Sequence, residues 1–225
     1  MIFDFDDTLV DFDQSEWLSA RRFFQTVEAV DDPSVLNGLA DCFAKLNPTH
    51  WPLRHEIGVS AVFQKTIEAV YATLLPTQTP PSDSGQRYLD SFARTVHLDP
   101  DCENTLALLS GHARLFIVSN GLKSIQAQRI HSTGISNYFA DIIVSGDIGV
   151  AKPDRQIFDR LIQANHIERD RAIYIGDSIR DDYAGCCNCG IDFCFYNRRR
   201  VDTSAYDFVH EIQTLDELPS LLGFG

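Results

Sequence analysis

Asp4 and Asp6 stand two residues apart where a short apolar stretch, residues 1–5, runs into carboxylates. Alternate residues at a strand end share a face, so both acids can reach the same side. One carboxylate can attack phosphorus and form an aspartyl-phosphate. The second can protonate the leaving oxygen and then take a proton from water. Asp-Asp-Thr is also good turn chemistry, so the pair alone fits a solvated turn equally well.

Three further segments narrow that choice. Ser119 closes the apolar run 115–118 and leads into Asn120-Gly121. Its hydroxyl and the backbone N–H groups there can hold phosphate oxygens, or Ser119 can simply cap a helix. Lys152 precedes Pro153 at a helix start, where a cation can pair with the attacking carboxylate and with phosphoryl oxygens; a lone lysine is more often a surface charge. Gly176-Asp177 closes the run 172–175, with Asp181 and Asp182 after it. Mg²⁺ takes oxygen ligands, typically one or two carboxylates plus substrate phosphate and water, which makes Asp177 and Asp4 the candidate direct ligands. Asp181 and Asp182 also read as acids complementing a helix N-terminus.

The elements that must position these residues follow from periodicity. Strand-like runs at 115–119, 142–145, 172–175 and 192–196 alternate with helical stretches at 122–133, 155–165 and 181–189. Such alternation predicts a Rossmann-like parallel sheet with helices on both faces. All four motifs then fall at carboxyl ends of strands, where open α/β sheets bind ligands. Between the first motif and this region the chain reads as helical. Residues 15–30 and 58–75 carry apolar side chains at helical spacing, Asp31-Asp32-Pro33 marks a break and a new helix start, residues 76–85 form a loop, and a helix runs through Tyr88, Phe92 and Val96. The expected organisation is an α/β catalytic core of residues 1–13 and 97–225, with an all-helical domain, 14–96, inserted after the first strand.

Composition sets outer bounds. The formal net charge of −13 over 225 residues argues against a nucleic-acid backbone binder, which shows a basic patch. It leaves room for a small phosphorylated metabolite. No apolar run approaches the roughly 20 residues of a membrane span, and no basic region followed by an apolar stretch opens the chain, so a cytoplasmic, reduced setting is expected. Of the six cysteines, Cys186, Cys187 and Cys189 are clustered without a second ligand pair at zinc spacing, and all six read as buried free thiols. His50, Arg54 and His55 can touch a substrate or be plain surface residues. Phe12, Trp17 and Phe24 read as core at helical spacing. Arg198-Arg199-Arg200 reads as a solvated loop rather than an anion site.

Taken together, Asp4-Phe5-Asp6-Asp7-Thr8-Leu9, Ser119, Lys152 and Gly176-Asp177-Ser178 with Asp182 resemble the four motifs of the haloacid dehalogenase superfamily, specifically its phosphatases with a helical cap inserted after the first motif. The resemblance covers nearly the whole chain. It implies Asp4 as nucleophile and Asp6 as general acid/base. It implies Mg²⁺ held by Asp4, the Asp6 backbone carbonyl and Asp177, with Asp182 as direct or outer support. Thr8, Ser119, Asn120 and Lys152 are implied as the phosphate-binding set, with Lys152 also offsetting the carboxylate charge. The cap, hinged near 11–13 and 97–100, would exclude water and read the leaving group.

The run Gly149-Val150-Ala151-Lys152-Pro153-Asp154 with Ile157-Phe158, and more loosely Trp51 and Glu56-Ile57-Gly58-Val59-Ser60, are similar to the pyrimidine-type 5′-nucleotidase branch. A nucleoside 5′-monophosphate is the substrate that this implies. Sugar-phosphate and acylneuraminate-9-phosphate phosphatases share much of the pattern. A phosphomutase, a 2-haloacid dehalogenase and a non-catalytic binding protein are the remaining readings. The dehalogenase reading leaves Asp6 and Asp177 without a task.

Overall fold

A computed structural model describes residues 1–28 and 30–224, apart from the side chains of Glu28 and His55; the expectation for His55 therefore lies outside the described residues. The chain divides into two units, Phe12–His97 and Met1–Asp11 with Leu98–Gly225.

The first unit is helical: α1 (Phe12–Glu28), α2 (Pro33–His50), α3 (Arg54–Ile57), α4 (Val59–Leu74) and α5 (Ser84–Phe92). The break at Asp31-Asp32-Pro33 has a clear cause. Asp32 caps α2 by accepting from the backbone N–H groups of Ser34 and Val35, and Pro33 opens the helix, where a missing N–H costs nothing. The helix expected to reach Val96 stops at Phe92. Aromatic rings bind the helices together: Tyr88 lies 4.4 Å from Phe43 and 4.6 Å from Phe63, ring centre to ring centre. Phe24 is buried in this core, Phe12 meets Phe92 edge to face, and the Trp17 indole N–H donates to Asp41. Glu16 is buried with them and accepts from Asn47 Nδ2 at 2.6 Å.

The second unit is built on β1 (Ile2–Phe3), β2 (Leu115–Ser119), β3 (Phe139–Val144), β4 (Ile173–Gly176), β5 (Asp192–Tyr196) and β6 (His210–Ile212). They form a six-stranded sheet in the order β3-β2-β1-β4-β5-β6, parallel throughout. Helices α6 (Cys102–Ser110), α7 (Lys123–Ser132), α8 (Ser145–Ile148), α9 (Arg155–Asn165), α10 (Ala184–Cys189) and α11 (Glu217–Leu221) complete it. A parallel sheet covered on both faces needs strands that are apolar on both sides, and β2 is buried at every position. β6 escapes sequence reading because His-Glu-Ile is short, polar and at the sheet edge. The stretch expected as one helix over 181–189 instead begins with a wider π-type turn, Ile179–Tyr183, before α10.

The order of strands reverses at β1, whose neighbours are β2 and β4. Such a switch point opens a crevice at the strands' carboxyl ends. Phe3 pairs with Ile117 on one side and Ile175 on the other. Asp4, Ser119 and Asp177 therefore leave three neighbouring strands at almost the same level. No described helix is long and apolar enough to cross a membrane. All six cysteines are free; Cys102, Cys186, Cys189 and Cys194 are buried as expected, but Cys187 is exposed and Cys42 partly so.

Candidate active site

Lys152 is the centre of the site. Its ammonium lies 2.7 Å from Asp4 Oδ1 and 2.7 Å from Asp182 Oδ1, and donates to the Tyr174 hydroxyl at 2.9 Å. An ammonium has three N–H donors, and here each has an acceptor. Burial works to strip the charge from Lys152, but Asp182 and Asp4 outweigh it and hold the group protonated. The Tyr174 hydroxyl has two acceptors in reach of its own proton, the Val118 carbonyl at 2.8 Å and Asp182 Oδ1 at 3.1 Å. Asn120 holds the Lys152 backbone in a reciprocal pair: its Oδ1 accepts from Lys152 N at 2.8 Å and its Nδ2 donates to Lys152 O at 3.1 Å. The Asn120 side chain, expected at the phosphate, is thus engaged in positioning Lys152.

Asp4 is buried and oriented by its neighbours. Oδ1 accepts from the Phe5 backbone N–H at 2.7 Å, and the Asp4 N–H joins β4 through Ile175 O. Burial raises its carboxyl well above the usual range, with the charges of Asp182 and Asp177 adding to this against the pull of Lys152. Asp177 is pushed up to about 7, by burial first and then by Asp182 and Asp7. Asp4, Asp177 and Asp182 each place a carboxylate oxygen within 4.8 Å of the others.

Asp182 is held differently from its sequence neighbour Asp181. Both oxygens of Asp182 are engaged inside the protein: Oδ1 by Lys152, and Oδ2 by the Ser178 backbone N–H at 3.0 Å. The π-type turn returns Asp182 beneath Gly176, where a β-carbon would overlap Asp182 Oδ2. Asp181, its sequence neighbour, pairs with Arg180 instead. Thr8, also expected at the phosphate, is fully buried and its hydroxyl donates to Asp177 Oδ1 at 3.4 Å. It reaches Asp177 because the Leu9 and Val10 N–H bonds to Phe5 O turn the chain inward there.

This donor set suits a hard divalent cation. All three acids offer oxygen, the cluster is largely buried, and one lysine leaves the three carboxylates with excess negative charge, which a bound cation would offset.

Ser119 is buried at the end of β2. It does not cap α7, whose flanking residue Leu122 makes no side-chain cap. Its Oγ instead accepts from Gln126 Nε2 at 2.8 Å. Asp6 is held by two residues that the motifs do not contain. Arg129 Nη1 lies 2.6 Å from Asp6 Oδ1, and Gln126 Nε2 donates to Asp6 Oδ2 at 2.7 Å. The sequence signal was Gln126 and Arg129 at i,i+3 on one helix face directly after Ser119; which way that face pointed was not readable. Arg198 pairs with Asp7 and Asp11, and Arg199 with Asp7, so two of the three arginines are tied to the loop of the first motif rather than simply solvated.

A switch-point crevice carrying a buried acid–lysine cluster and a separately held second acid marks a hydrolase built on a parallel α/β sheet. The chain belongs to the haloacid dehalogenase-like hydrolases, whose family pattern matches residues 1–196. It is 30% identical over 144 residues to the pyrimidine 5′-nucleotidase YjjG of Escherichia coli, a match covering 63% of this chain and 64% of that enzyme; under two thirds of that relative is therefore spanned. It is 25% identical over 207 residues to the pyrimidine 5′-nucleotidase PynA of Streptococcus pneumoniae, covering 90% of this chain and 85% of PynA. Among solved structures, the putative hydrolase YfnB of Bacillus subtilis, crystallised with magnesium, superposes with a TM-score of 0.77 at 25% identity, over 98% of this chain and 96% of that one.

Proposed function

We propose that this hydrolase cleaves phosphate monoesters of small metabolites, with Asp4 as nucleophile, Asp6 as general acid/base and Mg²⁺ as cofactor. The observation that carries the reading is that two carboxylates two residues apart are held by different partners: Asp4 by Lys152, Asp6 by Gln126 and Arg129. A single displacement at carbon would need only the first. Two acids in different surroundings are what a nucleophile and a proton carrier require.

Asp4 attacks phosphorus as the ester P–O bond breaks, and the Asp6 carboxyl gives its proton to the leaving oxygen, which departs as an alcohol. The Asp6 carboxylate then takes a proton from water as that water attacks the aspartyl-phosphate, releasing inorganic phosphate and restoring Asp4. The Ser119 hydroxyl would hold an equatorial oxygen, where charge is spread in the transition state, and Lys152, its three donors engaged, would offset that charge from beside Asp4. Asp4, Asp177 and the Asp6 backbone carbonyl would hold Mg²⁺, with Asp182 as outer support, and the ion would supply charge neutralisation and phosphate orientation. The helical unit would serve as the cap that reads the leaving group.

The two nucleotidase relatives favour a nucleoside 5′-monophosphate as substrate. The test is phosphate release from pyrimidine and purine monophosphates, sugar phosphates and acylneuraminate 9-phosphate, with Mg²⁺ and with EDTA. Magnesium-dependent release strongest on pyrimidine nucleotides supports the full reading. Release strongest on another class moves the substrate, and none on any ester removes the phosphatase assignment.

A further inference from the structure

Gln126 and Arg129 close a ring of hydrogen bonds with Asp6. Arg129 Nη1 donates to Asp6 Oδ1 at 2.6 Å and to Gln126 Oε1 at 3.0 Å. Gln126 Nε2 donates to Asp6 Oδ2 at 2.7 Å and to Ser119 Oγ at 2.8 Å. The ring also fixes the Gln126 amide, since a flipped amide would set its oxygen against the Asp6 carboxylate and its NH₂ against a guanidinium donor.

The two donors are buried, whereas the Asp6 side chain is 26% exposed. They therefore grip the carboxyl from the protein side and leave its outer edge in contact with solvent. Each carboxyl oxygen keeps a second lone pair, so the outer edge stays open to a leaving group. Arg129 is itself seated against the Phe5 ring, 5.3 Å from its centre. Gly121 leaves room for Gln126: a β-carbon there would stand 3.2 Å from Gln126 Cδ.

We infer that Gln126 and Arg129 are positioning residues for the proton transfers of Asp6, and that Gln126 couples the acid to the phosphate-binding hydroxyl of Ser119. This rests on the phosphatase reading above. A misplaced acid loses proton transfer to the leaving group steeply with geometry. The loss must therefore depend on how much the leaving group needs a proton.

Phenyl phosphate and 4-nitrophenyl phosphate have similar shape, but phenolate is much the more basic leaving group. The experiment compares kcat/KM on both esters for the wild type, Gln126→Met and Arg129→Lys, with Asp6→Asn as reference and circular dichroism to check the fold. Gln126→Met leaves the Arg129–Asp6 charge pair in place, so it remains informative if the arginine variant fails to fold. The expected result is a loss on phenyl phosphate at least about tenfold larger than on 4-nitrophenyl phosphate, in the same direction as Asp6→Asn, with the lysine variant milder on both. Equal losses on the two esters, or none, would overturn the positioning role while leaving the phosphatase reading standing. Absence of wild-type turnover on these two esters and on every ester of the panel above would instead remove the phosphatase reading and this inference with it.

Discussion

Lys152 Nζ and Asp182 Oδ1 lie 2.7 Å apart with both side chains sealed from solvent. Two charges so placed are costly to bury singly and tolerable only together. The pair fixes the ammonium beside Asp4, so the charge facing that carboxylate comes from a rigid interior rather than a mobile surface chain. Lys152→Met strands Asp4 and Asp182 without their counter-charge. Chemical denaturation in EDTA should show a loss of about 3–5 kcal/mol, and turnover should vanish in Mg²⁺.

Asp4→Asn removes the carboxylate proposed to attack phosphorus, at nearly constant volume. Turnover on every ester should fall below detection while the circular dichroism spectrum stays that of the wild type. Undiminished hydrolysis by this variant would disqualify Asp4 as the nucleophile.

Magnesium should stabilise as well as activate. The repulsion among Asp4, Asp177 and Asp182 is relieved when a cation binds, and binding to the native state alone raises its stability. Thermal melts should shift upward with millimolar Mg²⁺ and return with EDTA. Asp177→Asn should melt higher than the wild type without metal and show a much smaller magnesium shift.

Gly176→Ala places a β-carbon 2.7 Å from Asp182 Cγ and 2.9 Å from Tyr174 Cε1. Neither neighbour can yield without breaking its contact with Lys152. A destabilisation of about 1–3 kcal/mol, or more, is expected from such overpacking, read by urea unfolding, together with a sharp fall in kcat.

Glu16 in the helical unit is pushed up to about 7 by burial, helped by Asp13 and opposed by the Asn47 hydrogen bond. Below pH 4.5 it is protonated in folded and unfolded chains alike. Between 4.5 and about 7 the unfolded chain releases its proton while the folded one keeps it. Stability therefore falls as pH rises through that window, by up to about 3 kcal/mol from this group. Melting temperatures from pH 4.5 to 8 should decline less in Glu16→Gln than in the wild type.

The catalytic frame was legible because its demands are local. A parallel strand buried on both faces must be apolar, so the runs ending at Ser119 and Gly176 announce themselves, and polar residues just beyond them fall on the crevice by geometry alone. Asp32-Pro33 marked a helix start for a similarly local reason. β6 was not legible, since three residues at a sheet edge carry no apolar pattern.

The sequence by itself singled out the acids and the lysine and placed them together at one end of a parallel sheet. Tertiary structure alone decided what each side chain holds. It turned Asn120 onto the Lys152 backbone and Thr8 onto Asp177. It chose Asp182 over Asp181 through the wide turn after Ser178, and it brought Arg129 to Asp6 across 123 residues of chain. Residue type and spacing limit which bonds are possible. Which are made depends on the face of α7 that packs inward and on the few acceptors left once the core is closed.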